Sequence, residues 1–293
     1  RTAVGVRLMT MFGSQWLASA GGGYEIDQSI RFNDDDAAYL YRDNNSAQTD
    51  TKKFTYSLWI KRGAITGGTN TALLSGGSGT TSGRTAWYHI VLVYDAANST
   101  ANDTLIMYLN ATRLELDSTS GVPNNLSLVN ANGQRTKIGA DASGTPVEFD
   151  GYMADINMID GQALAPTDFG EYNDDGVWIP KSFGGARGDN GFYITGATAG
   201  DLGEDFSGNG NDFTSTGLAA ADQMLDTPTT NYPTINSVFS YYTTGNTSYY
   251  RPNYAVSKVS DGNLKIVYAS PNTPVNYCTM SFGSSGKFYF EVT

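Results

Sequence analysis

Hydrophobic and polar positions alternate in short runs along most of this chain, the period-two pattern of half-buried strands. Gln28 to Leu40 (QSIRFNDDDAAYL) predicts two short strands about an acidic turn at Asp34, Asp35 and Asp36. Phe54 to Lys61 (FTYSLWIK) places Phe54, Tyr56, Leu58 and Ile60 on one face. Trp87 to Tyr94 (WYHIVLVY) is apolar on both faces, as a central strand covered on two sides is. Leu105 to Leu116 predicts a hairpin turning at Asn110 and Ala111, and Lys137 to Gly139 a further strand. In Phe149 to Ile159 (FDGYMADINMI), Tyr152, Ala154, Ile156 and Met158 alternate against Met153, Asp155, Asn157 and Ile159. One helical piece is expected, a turn or two from Pro166 to Tyr172, because proline suits the first turn and acidic residues follow it. Many short strands without crossover helices exclude a parallel α/β architecture and predict an all-β sandwich or jelly roll.

Later in the chain the pattern changes. From Gly196 to Tyr250 it loosens into Gly, Asn, Ser, Thr and Asp, which predicts a long linker or a set of irregular loops over 196–250. Alternation returns in Leu264 to Tyr268 and Lys287 to Val292, so a second β domain is expected to begin within 251–293. Residues 1–23 read as an extended N-terminal arm that docks on a neighbouring subunit. A cleaved signal peptide is the alternative there, although Arg7, Ser14 and Gln15 interrupt its apolar region.

Composition sharpens the picture. The 293 residues include 19 Tyr and 13 Phe, so the core is expected to be built from rings and β-branched side chains. The formal net charge of −11 repels phosphate backbones and disfavours nucleic acid as a partner. No apolar run is long enough to predict membrane insertion. Cys278 is the single cysteine, which excludes an intrachain disulfide and reads as a small buried residue.

Ser29 to Asn33, Thr55 to Arg62, Ala86 to Asp95 and Phe149 to Leu164 together resemble the laminin-G-like, concanavalin A-like domains. The most specific segment is FDGYMADINMIDGQAL, in which Phe-x-Gly opens a strand and an acidic-Gly-x-Ala-Leu turn precedes a small helix. Gly176 to Lys181 and Gly191 to Tyr193, which follow, are similar to virion and tail-fibre-like proteins of phages, and Ser284 to Thr293 resembles the opening of a SPRY-like sandwich. The resemblance implies a concanavalin A-like jelly-roll β-sandwich over 24–195 and a second sandwich starting in 251–293. It also implies a non-catalytic structural or adhesive part on the surface of a bacteriophage particle. Its partners would be other virion proteins, copies of itself and a host-surface glycan. The alternatives are a secreted bacterial carbohydrate-binding module and a degenerate glycoside hydrolase. Between Ile65 and Ala86 a Gly/Ser/Thr-rich stretch stands where the family usually carries another hairpin.

A retaining glucanase of this fold needs two carboxyls about 5–5.5 Å apart, set by an E-x-D-x-x-E spacing on one strand. Glu25-Ile26-Asp27 begins that pattern, but Ser29 and Ile30 stand where the second Glu would be. Glu115 with Asp117, and Asp155 with Asp160, read as solvated strand and turn positions. His89, the sole histidine, lies in the most apolar strand and reads as a core histidine rather than a catalytic base. With one Cys and one His, zinc sites of the usual kind are excluded. No catalytic residues are therefore expected. Calcium is the one cofactor worth weighing: Asp205, Ser207, Asn209 and Asn211 offer oxygen at alternate positions among glycines. The twelfth position of that loop is Thr216, which excludes a true EF-hand, and the competing reading is a tight polar turn. Asp34 to Asp36 and Asp174 to Asp175 read as solvated loop acids.

Overall fold

The computed structural model describes residues 23–63, 86–100, 103–115, 131–141, 148–244, 247–251, 257–268 and 275–278. The segments expected to form the N-terminal arm (1–22) and the SPRY-like strand (287–292), and the Gly-rich stretch 64–85, lie outside them.

The first strands follow the alternation read from the sequence: β1 (Ser29–Phe32), β2 (Tyr39–Asp43), β3 (Lys53–Arg62) and β4 (Trp87–Asp95). A 3-10 turn at Asp34–Asp36 separates β1 from β2, and Asn33 caps it by accepting the Asp35 N–H. Next come β5 (Leu105–Leu109), β6 (Thr112–Leu114), β7 (Arg135–Ile138) and β8 (Gly151–Asp160). Asn110 and Ala111 join β5 to β6 with φ of 45° and 64°, the paired left-handed geometry of a tight hairpin turn. The Asn110 side chain fixes that turn by accepting the His89 N–H at 2.8 Å.

The expected helix after Pro166 stops after one 3-10 turn, Pro166–Asp168. Chain from Gly170 onward is extended instead, as β9 (Gly170–Tyr172) paired with β10 (Trp178–Pro180). Gly170 lies directly under the Trp178 indole, where an added Cβ would sit 2.5 Å from the ring. Tertiary contact with that indole overrides the local helix signal.

The last strands of the sandwich are β11 (Phe192–Ile194), β12 (Thr214–Thr216) and β13 (Gln223–Met224). The large sheet runs β13-β1-β8-β3-β4-β5-β6, with β11 also on β8. β1 and β11 share one edge of β8, pairing with residues 151–153 and 156–158 respectively. A small sheet, β12-β2-β7, packs opposite. All pairings are antiparallel. The fold is thus an all-β, multi-sheet sandwich.

Its core lies between the two sheets. Ile30 and Phe32 of β1, Phe54, Tyr56, Leu58 and Ile60 of β3, and Phe192 and Ile194 of β11 meet Leu40 of β2 and Ile138 of β7. The four β3 residues are those the alternation placed on one face. Each buried ring or aliphatic group contributes about 1.5–3 kcal/mol of transfer free energy. On β8 the inward set is Met153, Ile156 and Met158. The expected strict alternation therefore fails between Met153 and Ile156. A β-bulge interrupts the β3 pairing there, and Asp155 adopts a left-handed φ of 52°.

Of the two readings of 196–250, irregular loops fit residues 196–234, which are packed on the sandwich and are not a free linker. Leu202 and Phe213 are buried in the core, β12 and β13 edge the two sheets, and Ile235 opens a further strand. Beyond the sandwich are β14 (Ile235–Thr244), β15 (Thr247–Arg251), β16 (Ser257–Ser260), β17 (Lys265–Tyr268) and β18 (Val275–Cys278). They form a β15-β14-β18 sheet and a β16-β17 hairpin. The hairpin turn, Asp261 to Asn263, docks on the sandwich: Gly262 donates to Asp150 Oδ1 at 3.1 Å and accepts from the Tyr152 hydroxyl at 2.7 Å.

Candidate functional site

Chemistry-bearing side chains gather on the face of the large sheet turned away from the core. Odd positions of β3 (Ser57, Trp59, Lys61) and of β4 (Trp87, His89) point there, because alternation sends every second residue to that side. The face is covered by the chain itself: Ile26 and Tyr24 before β1, Trp178 of β10, and the Asp226 to Tyr232 segment after β13. Three polar cells lie beneath.

In the first, His89 is fully buried between Trp59 and Trp178, stacked on them at 4.9 and 6.0 Å between ring centroids. Its Nε2 lies 2.8 Å from Ser57 Oγ. A Ser–His pair at this distance invites comparison with a nucleophile and its base, but the proton sits on the wrong atom. Trp178 Nε1, which can only donate, reaches His89 Nδ1 at 3.1 Å. The Nδ1 lone pair is therefore used, Nε2 carries the hydrogen, and Ser57 Oγ accepts it. A catalytic histidine needs the opposite tautomer, with a carboxylate on Nδ1–H. Burial pulls the His89 pKa down to about 3, so the ring is neutral. Protonation is easier in the unfolded chain than in the folded one. Stability is therefore fully present above the ordinary histidine value of about 6.5 and is lost as pH falls towards about 3. We expect the His89 ring proton resonances to stay constant on acidification until the protein unfolds.

In the second cell, Lys61 is 1% exposed, and its ammonium donates to Asp226 Oδ2 at 2.7 Å, Asn231 Oδ1 at 2.9 Å and the Tyr232 carbonyl at 2.9 Å. All three N–H groups are used. Asp226 Oδ1 accepts from Trp87 Nε1 at 2.9 Å, and the Asp226 carbonyl accepts from Ser29 Oγ. Burial lowers the Lys61 pKa and the Asp226 charge opposes that shift. This is a latch that holds the 226–232 strap against the sheet.

The third cell surrounds the bulge. Asp155 Oδ1 lies 2.9 Å from the Tyr24 hydroxyl and 2.7 Å from the Tyr193 hydroxyl. Arg187 stacks over the Tyr193 ring at 4.7 Å and donates to Asn157 Oδ1. Burial raises the Asp155 pKa, and the tyrosine hydrogen bonds and Arg187 only partly offset it. The reading of Asp155 and Asp160 as solvated acids does not hold. Both are buried, and Asp160 Oδ2 accepts the Thr49 and Asn190 N–H groups at 2.7 and 3.1 Å.

The four residues proposed from sequence for calcium do come together, as a turn. Asp205 Oδ1 accepts the N–H groups of Tyr193 and Ser207, and Oδ2 accepts Ser207 Oγ–H and the Asn211 N–H, all at 2.7–2.9 Å. Asn209 and Asn211 turn their NH₂ groups outward from the turn, onto the carbonyls of Gly188, Asp189 and Gly191. Each Asp205 oxygen already has two donors, so a cation would have to displace them. Among the described residues, no three His, Cys, Asp or Glu side chains gather as metal ligands. We expect the melting temperature to be the same in calcium and in chelator, as measured by differential scanning fluorimetry. The acids at Asp34 to Asp36 and Asp174 to Asp175 are exposed, as expected.

One outward surface combines rings with polar groups. On the solvent side of the small sheet, Tyr39 and Tyr41 of β2 lie 6.1 Å apart between centroids. Lys137 lies over Tyr39 at 4.6 Å and Arg135 over Tyr41 at 4.5 Å. Thr216 and Thr214 of β12 stand opposite the same two tyrosines. Asp43 completes the row through a bidentate pair with Arg135, at 2.7 and 2.8 Å. Sequence reasoning passed over this surface because Tyr39 and Tyr41 are far in sequence from β7 and β12. The alternation of Tyr39, Tyr41 and Asp43 against Leu40 and Arg42 was the available signal.

No family model matches the chain, and no curated protein matches it. A solved structure with a similar arrangement is a protein of Bacteroides ovatus provisionally described as carbohydrate-binding. The two share 13% identity over 66% of this chain and 58% of that one, with a TM-score of 0.45. The present chain thus spans less than two thirds of that protein's length, and a likeness of this size carries no argument about ligand.

Proposed function

We propose that this protein is a non-catalytic, extracellular glycan-binding module built on a concanavalin-type sandwich. The observation that carries the proposal is the Tyr39–Tyr41 row on the outer face of the small sheet, flanked by Thr214, Thr216, Arg135 and Asp43. Lys137 and Arg135 cover one face of each half-buried ring; the part left exposed can stack on the apolar face of a sugar, and the flanking hydroxyls and charges hydrogen-bond the sugar hydroxyls. The Nε2–H tautomer of His89 is not that of a catalytic base and supports a binding role over hydrolysis, and the strap and Trp178 cover the outer face of the large sheet. The test is a screen on immobilised polysaccharides. Binding without turnover is expected, and Tyr39→Ala with Tyr41→Ala should weaken it at least about tenfold, the effect of ~1.4 kcal/mol. An unchanged affinity in that double variant, or release of reducing sugar, would refute the proposal.

A second reading is favoured by the phage-like wording of Gly176 to Lys181 and Gly191 to Tyr193. It places the same sandwich on a virion, where other virion proteins and further copies of the chain would be its partners. Mass spectrometry of purified particles separates the two readings.

A further inference from the structure

The cell around Asp155 poses a question of proton count. Three oxygens, Asp155 Oδ1, Tyr24 Oη and Tyr193 Oη, lie in mutual contact at 2.9, 2.7 and 2.5 Å. Three oxygen pairs at these distances need three hydrogens between them. With an ionised Asp155 there are only two, one from each tyrosine. If both point at the carboxylate, the two phenolic oxygens face each other at 2.5 Å with nothing between them. If one points at the other tyrosine, one contact to the carboxylate has no hydrogen. A neutral carboxylic acid removes the conflict. It donates to one tyrosine, that tyrosine donates to the second, and the second donates back to Asp155, closing a ring in one direction.

We propose that Asp155, Tyr24 and Tyr193 form a proton-binding site that clamps the chain before β1 onto the large sheet, and that the clamp loosens when the proton leaves.

Several observations support this. Asp155 is 4% exposed, and the bulge at its left-handed φ of 52° is what aims its side chain at the two tyrosines. Tyr24 and Tyr193 are held far above the ordinary tyrosine value, by burial first and by the Asp155 charge next, so they remain donors. Among the described residues the cation facing the group is Arg187, which favours the ionised acid; its guanidinium also serves the Asn157 and Phe183 oxygens and the Tyr193 ring. Burial outweighs it, and the Asp155 pKa is raised. Tyr24 is the residue of the 23–27 segment whose side chain bonds Asp155 and Tyr193. A second anchor, Ile26 to Thr229 Oγ1 through both its N–H and its carbonyl, contains no titrating group. Losing the proton therefore releases one end of the segment and not the other.

The sign follows. The unfolded chain gives up this proton at the ordinary aspartate value and the folded chain at a higher one. The contribution to stability is fully present below the ordinary value and is lost as pH rises through the folded value. The test uses the full chain. The Asp155 carboxyl carbon is followed by NMR against pH, and amide hydrogen exchange at Tyr24 to Asp27 is compared between the wild type and Asp155→Asn. Asparagine tolerates the left-handed backbone and cannot titrate. We expect the wild-type carboxyl to titrate above the ordinary aspartate range, and exchange in the segment to rise over that same interval in the wild type alone. A carboxyl that titrates at or below the ordinary value overturns the proposal. So does an exchange profile that rises equally in Asp155→Asn.

Discussion

Asp226→Ala is expected to destabilise the protein by about 3–5 kcal/mol, the usual result of stranding one member of a buried ion pair. The Lys61 ammonium would keep its Asn231 and Tyr232 partners but would lose the carboxylate at 2.7 Å that balances its charge in a site 1% exposed. Trp87 Nε1 would lose its acceptor as well. The loss is read from urea denaturation at neutral pH. A double variant, Lys61→Met with Asp226→Leu, removes both charges and should recover part of the loss. It should not recover all of it, because the Trp87 indole N–H loses the Asp226 acceptor and the Asn231 Oδ1 and Tyr232 carbonyl lose the Lys61 donor. Recovery to full wild-type stability would show that the latch contributes nothing beyond hydrophobic cover.

Gly151→Ala is expected to be more damaging still, by at least about 4 kcal/mol, which for a single substitution signals a specific clash. Gly151 has a φ of 143°, and an added Cβ would meet the Lys61 carbonyl at 2.3 Å and the Gly63 nitrogen at 2.9 Å. Both are backbone atoms, one in β3 and one in the residue that follows it, and cannot step aside. Gly151 pairs with Phe32 on one side and Arg62 on the other, so the clash sits where β1, β8 and β3 meet. Gly176→Ala is the control. That residue is also left-handed, at 74°, but has open space around it, so it should cost only about 1–2 kcal/mol. Soluble yield and circular dichroism of the two variants make the comparison.

How far the sequence could be read depended on the range of the forces involved. β3 was legible because its alternation is local: Phe54, Tyr56, Leu58 and Ile60 face the core as the pattern says. The hairpin at Asn110 and Ala111 was legible for the same reason. Asp155 was not, because its bulge is fixed by Tyr24 and Tyr193, which are 131 and 38 residues away. Lys61 closes the FTYSLWIK run, and nothing local marks it as buried. It is buried because Asp226, 165 residues later, comes back to meet it. The polar stretch from Gly196 looked like a linker because its backbone hydrogen bonds go to partners such as Tyr41 and Leu40, which no local window contains. Of the candidate site, the burial of His89 was visible in the apolar strand around it. The tautomer that makes His89 inert was not, since it depends on the single Trp178 contact.

The docked turn at Asp261 to Asn263 bears on how the protein can be divided. Arg31 pairs with Asp261 at 3.2 Å, Tyr152 and Asp150 both bond Gly262, and the Asn263 carbonyl receives the Ile235 N–H. A fragment trimmed at residue 250 would uncover the Tyr152 hydroxyl and strip Arg31 of one of its two carboxylates. The smallest piece that keeps the sandwich sealed therefore runs past Leu264, and expression boundaries drawn from the apparent linker would cut through a joint.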